Sequence, residues 1–112
     1  MSLSSVNRVR GEETVEIDGS PRCLRLTLGA LAEIETGLGV DGFIAVAERL
    51  ASGRMRDVAL VLAALVRAGG DAAIAERILD ARIDPIAAAQ AIARVFASAG
   101  APEDETEAPG KP

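Results

Sequence analysis

Apolar and polar residues alternate over the first quarter of the chain. Val15 and Ile17 are interleaved with Glu16 and Asp18, and Leu24, Leu26 and Leu28 with Arg25 and Thr27. A period of two with one apolar face predicts β-strands, here within residues 6–28. Between the two runs lies Asp18-Gly19-Ser20-Pro21-Arg22, a cluster of turn-forming residues that predicts a chain reversal. Pro21 has no N–H to give to a ladder, so a loop longer than two residues is expected. A lone hairpin is marginal in water and must lay its apolar face on something else.

Near Thr27 the period changes. Thr27 is a plausible N-cap, and Leu31, Ile34 and Leu38 follow at helical spacing, with Glu33 and Glu35 turned outward. Gly37 and Gly39 predict the stop. Asp41 is placed to cap a second helix carrying Phe43, Ile44, Ala47 and Leu50, which ends at Ser52-Gly53. A third helix is predicted from Met55 to Ala68. Its positions Met55, Val58, Leu62 and Leu65 are joined by Leu60, Val61 and Val66, so apolar residues wrap most of its circumference. Such a helix is either central to a bundle or has a second side for a partner, which makes Leu60, Val61 and Val66 the candidate partner-binding residues.

Gly69-Gly70 breaks the pattern. Asp71 can cap a short fourth helix with Ile74, Ile78 and Leu79, and Asp84-Pro85 is a clear start signal for a fifth. That helix carries Ile86, Ala89, Ile92, Ala93 and Phe96 along one face, with Gly100 at its end. Ala101 to Pro112 holds Glu103, Asp104, Glu105 and Glu107 among prolines and has almost nothing to bury, so it is expected to be disordered. The fold class is α+β. An N-terminal antiparallel β-hairpin packs on a bundle of four to five short helices in a single domain over residues 1–100, followed by an acidic tail over 101–112.

Composition narrows the function. The 112-residue chain has no His, Trp or Tyr and a single Cys, so most side chains that run acid–base, metal or nucleophilic chemistry near neutral pH are missing. No catalytic residue, metal site or cofactor is expected, and no small-molecule substrate. A formal net charge of −5, with arginines scattered among acids, argues against nucleic acid. Polar flanks interrupt every apolar run before membrane-spanning length, and no basic leader precedes an apolar segment. The lone Cys23 cannot form an internal disulfide, and a reducing, cytoplasmic location is expected.

The remaining candidate sites have plain structural readings. Glu33 and Glu35, two residues apart, point to different sides of a helix and read as solvated charges. Glu12-Glu13 lacks the further oxygens a divalent cation needs. Cys23 has no His to activate it and reads as a structural thiol. Gly37-Leu38-Gly39-Val40-Asp41-Gly42 follows a helix and lacks a Lys-Ser/Thr, so it reads as helix termination rather than a phosphate loop. Arg8, Arg10, Arg22 and Arg25 form a basic edge on the hairpin, read as protection against strand addition, with docking of an acidic segment as the alternative.

The order of these elements, and words within them, resemble a family of small proteins from gene transfer agents and related tailed prophages, the tail assembly chaperones. The words are Asn7-Arg8-Val9-Arg10-Gly11-Glu12, then Leu26-Thr27-Leu28-Gly29-Ala30-Leu31-Ala32-Glu33-Ile34-Glu35, then Arg49-Leu50-Ala51-Ser52-Gly53, then Asp57 and the helix ending at Arg67-Ala68-Gly69-Gly70. The resemblance implies a non-catalytic protein that binds the tape-measure protein during tail assembly and is absent from the finished particle. A helix-in-groove contact is the natural mode. Self-association is a further expectation. Two other functions fit the composition: a structural tail or connector component retained in the particle, and a small cytoplasmic adaptor or antitoxin-like regulator.

Overall fold

The structure, a computed structural model, describes residues 11–100. Strands β1 (Glu12–Ile17) and β2 (Ser20–Arg25) form a two-stranded antiparallel sheet, with Ile17 opposite Ser20 and Glu12 opposite Arg25. The strands are shorter than the expected span: Val6 to Arg10 lie outside the described residues, and Leu28 has left the sheet and is 86% exposed. The reversal is a two-residue turn, not the longer loop that Pro21 suggested. Asp18 and Gly19 both have positive φ (55° and 81°), the pattern of the type I′ turn that matches strand twist. Pro21 is tolerated because the alternation of the ladder turns its nitrogen away from β1, where no ladder bond is lost.

Asp18 does more than turn the chain. Its amide donates to the Arg82 carbonyl (2.9 Å), and its carboxylate accepts from the Arg82 amide (2.7 Å) and pairs with Arg77 (2.5 Å). The Arg82 amide above all, with the Arg77 guanidinium adding to it, holds the Asp18 carboxyl below its ordinary range. The hairpin tip is thereby tied to the segment before the last helix.

Among the described residues, five helices follow: α1 (Leu28–Leu38), α2 (Phe43–Ala51), α3 (Met55–Ala68), α4 (Ala72–Glu76) and α5 (Pro85–Gly100), with a 3-10 turn at Ile78–Asp80. Three predicted caps are present. Thr27 Oγ1 accepts from the Ala30 amide (3.0 Å), Asp71 Oδ1 from Ile74 (3.1 Å) and Asp84 Oδ1 from Ile86 (2.9 Å), each satisfying an amide the helix leaves orphaned. Asp41 caps nothing: Gly42, with φ 93°, holds the N-cap position of α2 and makes no side-chain bond. Its amide donates instead to Glu35 Oε2 at 2.6 Å, so Glu35 joins the ends of α1 and α2.

Gly39 stops α1 in the left-handed conformation, but Gly37 does not. Gly37 sits inside α1, where an added Cβ would lie 2.6 Å from Leu60 Cδ1; it is a point of close helix approach. Gly69 has the same role at the end of α3, pressed against the backbone carbonyl of Cys23 in β2.

The core is built around α3, whose Val58, Val61, Leu62, Ala64, Leu65 and Val66 are all buried. It packs against α1, α4, α5 and β2, while α5 also lies along β1. Ile34, Leu24, Ile17 and Val95 arrive from four different elements, and each fully buried aliphatic side chain contributes roughly 1.5–3 kcal/mol. On α5 the buried stripe is Ala88, Ala91, Ile92, Val95 and Phe96, rotated from the expected one: Ile86, Ala89 and Ala93 are exposed.

Candidate functional site

The rotation of α5 leaves an apolar groove. Ala89, Ile92, Ala93 and Phe96 of α5 form one wall, Ala47, Leu50 and Ala51 of α2 the other, and Val58 of α3 completes the lining of about 330 Å³. Phe43, at the start of α2, stacks on Phe96 with ring centroids 5.3 Å apart and an interplanar angle of 28°. This geometry is an offset stack, which stabilises by about 0.5–1.5 kcal/mol beyond its buried area. Phe96 is only 7% exposed, so it is a core residue with one face in the groove.

Four of the lining residues are alanines, which let a partner backbone come close. Ile44, Met55 and Ile86 lie one helical turn from Ala47, Val58 and Ala89, on the same faces, and are 68%, 55% and 67% exposed. Large aliphatic side chains are usually withdrawn from water; three of them beside one groove extend its apolar surface.

An ion pair with a buried carboxylate fixes the α2 wall. Asp57, in the first turn of α3, is 3% exposed; its Oδ2 accepts from Arg49 Nε at 2.9 Å. Arg49 Nη1 also donates to the Leu38 carbonyl at the end of α1 (2.9 Å), so one guanidinium joins three helix ends. The carboxylate near the start of α3 is favoured by the helix dipole as well.

The structure distributes the sequence-predicted residues differently. Val61 and Val66 are 0% exposed, and Leu60 is half-buried against Gly37. The three therefore form no open face in this conformation; the apolar wrap of α3 is consumed by the core. Glu33 pairs with Arg67, Glu12 with Arg25 (2.6 Å) and Glu13 with Arg94 (3.2 Å). Arg22 pairs with Asp71 at 2.9 Å, so it and Arg25 are matched by acids, while Arg8 and Arg10 lie outside the described residues. Cys23 is half-buried in β2. Among the described residues, no group of three or more His, Cys, Asp or Glu is arranged to hold a metal ion, and no helix is long and apolar enough to cross a membrane.

Sequence reasoning placed Ala89 and Ala93 on one apolar face of the last helix without marking a groove there, and gave Ala51 no structural role. The signal was present in α5: Gln90, Arg94 and Ser98, four residues apart, form a narrow polar line, which leaves more apolar circumference than one neighbour can cover.

The α2–α5 groove is apolar and helix-lined, a concavity of the shape that an amphipathic helix can enter. Comparison with known families is specific: residues 10–100 match the family described as phage tail tube protein, GTA-gp10, and the chain belongs to that family. It is thus a phage-tail-related protein of gene transfer agent type, as the resemblance implied, although the family is described by the tail tube and not by an assembly chaperone. No curated protein and no solved structure matches the chain.

Proposed function

We propose that this protein is a non-catalytic tail assembly chaperone that takes an apolar helical segment of the tape-measure protein into the groove between α2 and α5. The observation that carries this is the groove itself: alanine-lined and backed by Phe96, with exposed Ile44, Met55 and Ile86 one helical turn from lining residues. A helix entering it would place side chains at i, i+3, i+4 and i+7 against Leu50, Ile92 and Phe96. Membership in a tail family makes a long helical tail component the natural partner.

Co-expression with the tape-measure protein followed by pull-down tests the proposal. Ala93→Arg places a charge at an exposed lining position, so it should abolish capture and leave thermal unfolding nearly unchanged. Capture that survives this substitution would sink the groove as the contact.

The family's description favours a second reading, in which the chain is a tube component retained in the particle. Mass spectrometry of purified particles separates the two. A chaperone is depleted from particles, whereas a tube component is present in many copies.

A further inference from the structure

The two edges of the hairpin differ. The Leu26 amide donates to the Gly11 carbonyl (2.9 Å), which sets the alternation of the ladder. With the observed register, Glu13–Leu24, Val15–Arg22 and Ile17–Ser20 are the hydrogen-bonded pairs. The backbone groups of Glu12, Thr14 and Glu16 therefore face the outer edge of β1, and those of Pro21, Cys23 and Arg25 the outer edge of β2. The β2 edge is closed, because Pro21 offers no N–H and the end of α3 brings Gly69 against the Cys23 carbonyl. The β1 edge is open: it contains no proline, no described group outside the hairpin bonds the backbone of Thr14 or Glu16, and both residues are exposed. An open edge of this kind is a template for an added strand.

What would fit is set by its surroundings. Beside the edge lies a trough of about 480 Å³ lined by Glu16, Gly19, Arg82, Ile83, Asp84 and Ala87. It offers apolar surface at Ile83 and Ala87 and two carboxylates, Glu16 and Asp84, against one cation, Arg82, and Glu16 has no ion-pair partner among the described residues. An extended segment alternating cations with an aliphatic residue matches both features, since alternate side chains point to opposite faces. The chain has one in Arg8-Val9-Arg10. Gly11 continues the line of β1, with its carbonyl bonded to Leu26, so the described chain enters the strand at its end and not along its side. Pairing of two β1 edges is disfavoured, because an antiparallel match centred on Thr14 sets Glu12 opposite Glu16.

We infer that the outer edge of β1 receives the Arg8-Val9-Arg10 segment of a second copy of this chain as an added strand. The backbone of Thr14 and Glu16 supplies the hydrogen bonds, and Glu16 with Asp84 selects the basic segment. This contact is separate from the α2–α5 groove and does not depend on what the groove binds.

Sedimentation of the full chain over a concentration range tests it, with far-ultraviolet dichroism checking the fold of each variant. The wild-type chain should self-associate reversibly, and less so as salt rises. Arg8→Glu with Arg10→Glu, and separately Glu16→Arg, should each weaken association about tenfold, the size of a lost cross-strand charge pair replaced by a like-charge one. Mixing the two variants should restore association, because the acidic segment of one then meets the basic edge of the other. The Thr14 and Glu16 amides should exchange more slowly as association proceeds. The inference is overturned if the chain stays monomeric at every concentration or if association ignores both charge reversals. It is equally overturned if association is lost on Ala93→Arg while the Thr14 and Glu16 amides remain unprotected.

Discussion

Gly69 has φ near −77°, a value open to any residue, yet it cannot carry a side chain because the Cys23 backbone occupies that space. Gly69→Ala should therefore destabilise by about 1–3 kcal/mol, the range for overpacking, because β2 must move to make room. Gly37→Ala meets only the flexible end of Leu60 and gains helix propensity worth about 1 kcal/mol, so its cost should be smaller. Urea unfolding of the two variants measures the difference; equal losses would contradict the assignment of Gly69 to a strand–helix contact. Asp18 makes a different prediction. Its carboxyl is held below the ordinary value of 3.8, first by the Arg82 amide, so it binds protons less readily folded than unfolded. Its contribution is fully present above that ordinary value and is lost as pH falls through the lowered one. Asn tolerates positive φ, so Asp18→Asn should keep the turn and flatten the acid limb of stability against pH. An unchanged acid limb would mean that other carboxylates govern it.

Between elements, the Arg49–Asp57 pair joins the ends of α1, α2 and α3. Arg49→Leu leaves a buried carboxylate without its partner and should cost about 3 kcal/mol, the low end for breaking a buried pair. Adding Asp57→Leu should recover part of that loss, and a double-mutant cycle in denaturant tests the coupling. Phe96→Ala removes both a core side chain and the stack on Phe43, and should cost about 3–5 kcal/mol in unfolding. A near-neutral result would place the ring outside the core. Elements set by local chemistry could be read from sequence: Thr27, Asp71 and Asp84 announce their helices, and α3 has the predicted bounds. Features set by distant neighbours could not. The register of α5 on α3 decides which apolar stripe is buried, and Gly37 and Leu60 meet across 22 intervening positions. Asp18-Gly19 did carry the turn signal, but the weight given to Pro21 overrode it because its place in the ladder alternation was unknown. The groove was legible only as a surplus of apolar positions on α5.

For the whole molecule, burial is uneven. α3 buries seven residues, and nearly every other element rests on it. α2 fully buries one, Val46; Leu50 is half-buried, and the ends of the helix are held by the Phe43–Phe96 stack, the Gly42–Glu35 bond and the Arg49 bonds. An element so attached can open at a free energy well below that of global unfolding, since local stability follows local burial. Native-state hydrogen exchange should therefore give two classes of amide. Those of α3 exchange only through complete unfolding, with the denaturant dependence of the whole chain. Those of α2 exchange through a smaller opening, with a weaker dependence. A single class shared by both helices would show the domain to be one cooperative unit. With two classes, one wall of the groove can swing away while the core stays folded, and the groove's width becomes a thermally sampled variable instead of a fixed dimension.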